Sequence, residues 1–212
     1  NLIWRPNVWN RAGWAQGLPD IAIRQVMQDF RFVAENHCIG LYFDTIWENW
    51  PTQGPQYYLM AQLAWNPLAD GDAVLKDYYR RGFGAGAADI EAYWELLQAA
   101  RDRKIAEDLG YPAAYDAAFF ERAYGLLAAA DARLAGAPER FRRRVQFFRA
   151  GLEFTRLMVD TYAQMDVFQQ SGRADRAAAD RMAANWASME QIANQNLMKF
   201  HFIKERSKAI LP

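Results

Sequence analysis

Phe141, Val145, Phe148, Leu152, Thr155, Val159 and Tyr162 follow one another at alternating steps of four and three. Only a helix puts residues so spaced on one face, and the near-heptad rhythm calls for neighbours packed at a shallow angle. A second line, Phe147, Phe154 and Leu157, requires burial on more than one side of the same helix. Pro138 suits its first turn, and Ser171-Gly172 interrupts it. A long helix wanted on several faces needs a bundle around it, and the sequence on both sides supplies one. Tyr58, Leu59, Leu63 and Ala64 lead to a stop at Asn66-Pro67. Asp70 or Asp72 can cap a helix carrying Val74, Leu75, Tyr78 and Tyr79, which Gly82 to Gly86 end. Ile90, Tyr93, Trp94 and Leu97 give an i, i+3, i+4, i+7 set in a helix reaching about Asp108, before Gly110-Tyr111-Pro112. Phe119, Phe120, Ala123, Leu126, Leu127, Ala130 and Leu134 make another, and Asp175 opens a last one through Met182, Trp186, Met189 and Ile192. The apolar tail Phe200 to Ile203 is placed to dock back on the bundle.

The front of the chain follows a different rule. Leu2-Ile3-Trp4 is β-prone and Pro6 stops it. Asp20 is a candidate N-cap for a helix with Ile23, Val26, Met27, Phe30, Val33 and Ala34 on one side, ended by Asn36-His37. Gly40-Leu41-Tyr42-Phe43 then reads as a buried strand. Strand, helix, strand is the pattern of a parallel β-α-β unit, which leaves two sheet edges open and is incomplete alone. The expected fold is therefore mainly α: a helical bundle over residues 55–212, preceded by a short β-α-β segment over residues 1–54 that looks like the end of a (β/α)8 barrel.

Composition excludes several functions. Lys plus Arg and Asp plus Glu number 25 each, so the chain lacks the basic surplus of a general nucleic-acid binder. The basic run Arg140 to Arg144 falls on the long helix and reads as a solvated face. No apolar run approaches the roughly 18–20 residues of a membrane span. A single cysteine, Cys38, forbids an internal disulfide, and its apolar surroundings read as those of a buried, inert thiol. The two histidines, His37 and His201, have no Cys or His at metal-ligand spacing and read as structural. Gly82, Gly84 and Gly86 follow a helix and so do not form a dinucleotide loop. No metal or cofactor is expected. The chain opens Asn1-Leu2-Ile3, without an initiator Met, as a piece of a longer protein would.

Chemistry is best looked for after the second strand. Asp44-Thr45-Ile46-Trp47-Glu48-Asn49-Trp50 puts two carboxylates, an amide and two indoles at the carboxyl end of a strand, where α/β folds gather functional groups. Flat indoles suit the C–H face of a sugar, and carboxylates and amides suit its hydroxyls. The first strand ends in a similar set, Trp4, Arg5, Asn7 and Trp9, and two adjacent parallel strands would bring both loops to one rim. The substrate-binding candidates are thus Trp4, Arg5, Asn7, Asp44, Trp47, Glu48 and Trp50. The same residues could instead seal the joint between sheet and bundle. Catalysis by Asp44 or Glu48 would need two carboxyls about 5–5.5 or 6.5–9.5 Å apart.

The series Tyr57-Tyr58-Leu59-Met60-Ala61-Gln62-Leu63-Ala64-Trp65-Asn66-Pro67, then Asp72 to Leu75, then Asp77-Tyr78-Tyr79 to Phe83-Gly84, resembles domain-of-unknown-function family 4838. Phe119-Phe120, Ala128 to Ala130 and Arg142-Arg143-Arg144-Val145 extend the resemblance to roughly residues 25–165. That family is similar to carbohydrate-active enzymes with a β/α barrel of α-glucuronidase-like or hexosaminidase-like organisation followed by helices, and some members belong to glycoside hydrolase family 163. The resemblance implies the C-terminal part of a secreted, periplasmic or cell-surface bacterial hydrolase with a glycan substrate. Its catalytic carboxylates would lie outside this chain, and the rest of the parent polypeptide would be the partner. The alternative is a non-catalytic interaction or oligomerisation module, pairing with its copy through the helix at 138–168.

Overall fold

The structure is a computed structural model that describes residues 2–5, 17–43, 49–196 and 198. Strands β1 (Leu2–Trp4) and β2 (Cys38–Leu41) pair in parallel, joined by helix α1 (Ile23–Glu35). The register sets Ile3 opposite Gly40 and Trp4 opposite Leu41, with an irregularity between Leu2 and Ile3, and Tyr42 N–H donates to Trp4 O at 2.9 Å. The rest is helical: α2 (Trp50–Trp65), α3 (Gly71–Phe83), a 3-10 turn (Gly84–Gly86), α4 (Ala87–Ala106), α5 (Tyr111–Ala114), α6 (Ala117–Arg133), α7 (Glu139–Gln170) and α8 (Arg176–Gln195). The chain is therefore mainly α, a helical bundle with a short parallel strand pair at its front.

Helix α7 is the axis of the bundle. It packs against α2, α3, α5, α6 and α8, and the whole expected stripe except the half-buried Phe141 and Tyr162 is buried. The second line is also used, with Phe154 and Leu157 buried and Phe147 half-buried. Val145 and Leu152 are spent inside the bundle, at 0% and 1% exposure, so the stripe is not open to a second copy. The caps follow local chemistry. Asp70, Asp116 and Asp175 each accept from the backbone N–H three residues on, satisfying an orphan donor of α3, α6 and α8. Gly84, at φ 52°, ends α3 where a side chain would be strained. The basic run is solvated as expected, with Arg140, Arg142, Arg143 and Arg144 exposed.

Several expectations change. Helix α2 starts at Trp50, so the bundle begins ahead of the expected boundary at residue 55 and Asn49-Trp50 is a helix start. Pro51 sits in the first turn, where its missing N–H costs nothing, and Pro55 is accommodated inside the helix. A proline at 55 has no N–H to offer the carbonyl of Pro51 four residues earlier. That carbonyl lies against α7 at Gly151, where an added Cβ would stand 2.5 Å from it. Gly151 thus lets two helix backbones meet.

Asp20 does not cap α1. Its carboxylate takes the guanidinium of Arg101 on α4 at 2.8 Å. The donor at the head of α1, Ala22 N–H, is satisfied from another helix, by Oε1 of the fully buried Gln56 at 2.6 Å. Gln56 Nε2 donates to Asp20 O, Gln53 Nε2 to Leu18 O, and the Tyr115 hydroxyl to Pro19 O. These three side chains fix residues 18–22 to the bundle, and Leu18, Ile21, Val26 and Phe30 share its core.

The second strand is not buried. It spans Cys38–Leu41, and Ile39 is 66% exposed, Leu2 67% and Ile3 70%. Helix α1 covers one face, where Phe30 meets Trp4 edge-on at 5.2 Å and Phe43 at 6.1 Å. No described element covers the other face. Cys38 is half-exposed, not buried, and its thiol lies 3.3 Å from Leu2 O and 3.1 Å from Gly40 O. The Phe200 to Ile203 tail lies outside the described residues.

Candidate functional site

The expected rim is described in part. Asn7, Asp44, Trp47 and Glu48 lie outside the described residues, as does Trp9. Trp4 is half-buried between the sheet and α1, held on Phe30. Arg5 is exposed, with its guanidinium carbon 5.9 Å from the centre of the Tyr42 ring. The parallel register therefore brings the ends of both strands side by side, with Trp4, Arg5 and Tyr42 at one edge. Of the two described aromatics there, Tyr42 is more open than Trp4, whose role is to close the layer between sheet and helix.

Trp50 stands elsewhere in the fold. From the first turn of α2 its ring meets Tyr57 edge-on at 5.3 Å. It also lines a cleft of about 340 Å³ between α2, α3 and α7. The lining is Trp50, Gly54 and Tyr58 of α2, Tyr78, Arg81, Gly82 and Phe83 at the end of α3, and Arg144, Phe147 and Phe148 of α7. Helical spacing explains the set. Trp50, Gly54 and Tyr58 are four apart and share a face of α2. Tyr78 and Arg81 are three apart on α3, and Arg144, Phe147 and Phe148 fall within one turn of α7. Phe148 belongs to the core, packing on Phe83 at 5.3 Å and edge-on to Trp94 at 5.0 Å. It is the rigid floor of the cleft.

Tyr58 and Tyr78 form the wall, with ring centres 4.8 Å apart. Burial pushes the Tyr78 hydroxyl well above the usual phenol range, the nearby Arg144 partly opposes this, and Tyr58 adds to it. Tyr78 therefore stays a neutral hydroxyl. Neither tyrosine hydroxyl makes a hydrogen bond among the described residues. Arg144 donates to Gly82 O at 2.8 Å and has no carboxylate partner among the described residues. Arg81 shares the carboxylate of Asp77 with Arg80, which holds Asp77 below the usual carboxylate range. The lining thus offers aromatic faces, two hydroxyls and two cations. It holds no carboxylate, histidine, serine or cysteine, so it can bind a ligand but supplies no general base or activated nucleophile.

Reading the sequence for clusters near strand ends passes over this cleft, because its residues come from three helices. The available signal was the aromatic series Tyr58, Tyr78 and Phe147 beside Arg81 and Arg144 at turn spacing. Among the described residues, no group of three His, Cys, Asp or Glu side chains is placed to hold a metal ion. No described helix is long and apolar enough to cross a membrane.

Residues 8–95 match the family model "Domain of unknown function (DUF4838)", and this stretch belongs to that family. The match includes the Tyr57–Gly84 series and stops short of the Phe119–Val145 segment. No curated protein and no solved structure matches the chain.

Proposed function

We propose that this DUF4838 chain is part of a carbohydrate-active enzyme of the glycoside-hydrolase type, secreted or at the cell surface of a bacterium. In this reading the β1-α1-β2 unit is the closing segment of a β/α barrel, and the helices brace it. The observation that carries the reading is the strand pair itself. Parallel sheets occur with both faces covered, because their crossovers place helices on them. Here Leu2, Ile3 and Ile39 stay exposed, so the sheet is not covered as a parallel sheet should be, and both sheet edges are unpaired among the described residues. Such a pair fits as the last two strands of a larger sheet. The resemblance of DUF4838 proteins to barrel hydrolases, the indoles and amide after the first strand, and the indole-carboxylate-amide mix after the second point to a glycan as the ligand.

Arg5, Asn7, Asp44, Trp47 and Glu48 would line the glycan pocket, with Trp4 as their support. The acid and nucleophile would come from other barrel strands, so this chain binds glycans without cleaving them. The test pairs a panel of chromogenic glycosides with calorimetric titration of oligosaccharides. Binding that Trp47→Ala weakens, with no turnover, is the expected result. Robust turnover would overturn the placement of the catalytic carboxylates. Oligosaccharide affinity unchanged by Trp47→Ala would overturn the rim.

A further inference from the structure

We propose that the cleft between α2, α3 and α7 is a second saccharide site, selective for a sugar ring carrying an anionic substituent. The inference rests on the carbohydrate reading for the ring but not for the charge, which follows from the cleft alone.

Three observations meet there. The first is size. At about 340 Å³ the cleft is at the small end of the roughly 300–1,000 Å³ typical of ligand pockets, which suits one ring rather than a chain. The second is the wall. Tyr58, Tyr78 and Trp50 present flat faces, and Gly54 withholds a side chain from the space before Tyr78, where its Cβ would lie 3.6 Å from the hydroxyl. The Tyr78 hydroxyl lies at the cleft beside Gly54 with no hydrogen-bond partner among the described residues. A sugar hydroxyl would satisfy it while the sugar's C–H face covers the rings. The third is charge. Two cations, Arg81 and Arg144, line the cleft, and Arg81 is paired outside the lining with Asp77, which it shares with Arg80. Arg144 instead donates to a carbonyl and lies over the Phe141 ring at 5.9 Å, with no carboxylate partner among the described residues. That carbonyl belongs to Gly82, the chain neighbour of Arg81, so both guanidinium groups serve one end of the cleft. A carboxylate or sulfate there would gain charge-assisted hydrogen bonds that a neutral sugar lacks.

Calorimetric or NMR titration of the full chain tests this with glucuronate, 6-sulfated N-acetylglucosamine, and their neutral counterparts glucose and N-acetylglucosamine. At least one anionic sugar is expected to bind about tenfold or more tighter than its neutral counterpart, and which one does so tells carboxylate from sulfate. Arg144→Gln is expected to abolish that preference in a protein whose cooperative thermal transition shows that it is folded. Equal affinities for charged and neutral sugars would overturn the proposal. So would an Arg144→Gln protein that keeps the preference, or acetate and inorganic sulfate displacing the sugar at equal concentration. Trp47→Ala separates the two sites. It should leave the anionic monosaccharide bound, so a failure of the rim and a failure of the cleft give different results.

Discussion

The strand pair and the helical bundle handle apolar surface in opposite ways. In the bundle, α7 buries its apolar stripe against five neighbouring helices and leaves Arg140, Arg142, Arg143 and Arg144 exposed. In the strand pair, α1 packs on Trp4 and Phe43, and Leu2, Ile3 and Ile39 stay exposed. Helix α7 is thus enclosed by its neighbours, whereas the strand pair is held to the bundle through α1 and the buried Gln53 and Gln56.

Truncating the bundle's floor should cost most. Phe148→Ala removes a ring that touches Phe83, Tyr93 and Trp94, and should destabilise the protein by about 3–5 kcal/mol in chemical denaturation. The connection between the regions comes next. Gln56→Leu keeps the volume but leaves Ala22 N–H and Asp20 O without their partner. An orphaned buried group costs about 1–3 kcal/mol, and the loss should show as early exchange of the α1 amides. If α1 stays protected in that variant, the glutamine is not what joins the two regions.

A pH scan sharpens the comparison from the bundle side. Burial acts to raise the Asp160 carboxyl, but hydrogen bonds from Arg181 and Asn185, both at 2.7 Å, outweigh it and hold the group below its usual range. A carboxylate lowered by folding adds stability that is complete above its unfolded value near about 3.9, and loses it as pH falls through the folded value. The thermal midpoint of wild type should therefore exceed that of Asp160→Asn at neutral pH, with the gap closing in acid. A gap constant from pH 7 to pH 2 would contradict the assignment. The smallest effect belongs to the open sheet face. Ile39→Asp should change stability by less than about 0.5 kcal/mol, because the side chain is already in water.

Helical periodicity made the bundle legible. Ile90, Tyr93, Trp94 and Leu97 are all buried as their spacing requires, and three aspartates cap the helices that follow them. Parallel β-α-β order was legible for the same reason, as a change of period. What stayed hidden depends on distant partners. Asp20 has the right chemistry for an N-cap, yet Arg101, eighty-one residues away, binds it and Gln56 does the capping. The bundle was expected from residue 55, yet α2 begins at Trp50, because a first turn tolerates Pro51 and Gly151 gives the carbonyl freed by Pro55 a close neighbour. Of the seven site candidates, three are described, and Trp50 belongs to a cleft whose other walls come from α3 and α7.

Native-state hydrogen exchange reads the two regions in one sample. Amides of α7 from Val145 to Val159 should exchange only on global unfolding, while those of Leu2–Trp4 and Cys38–Leu41 exchange through a much smaller opening. Equal protection in both regions would refute this, because the strand pair would then be held as firmly as the bundle.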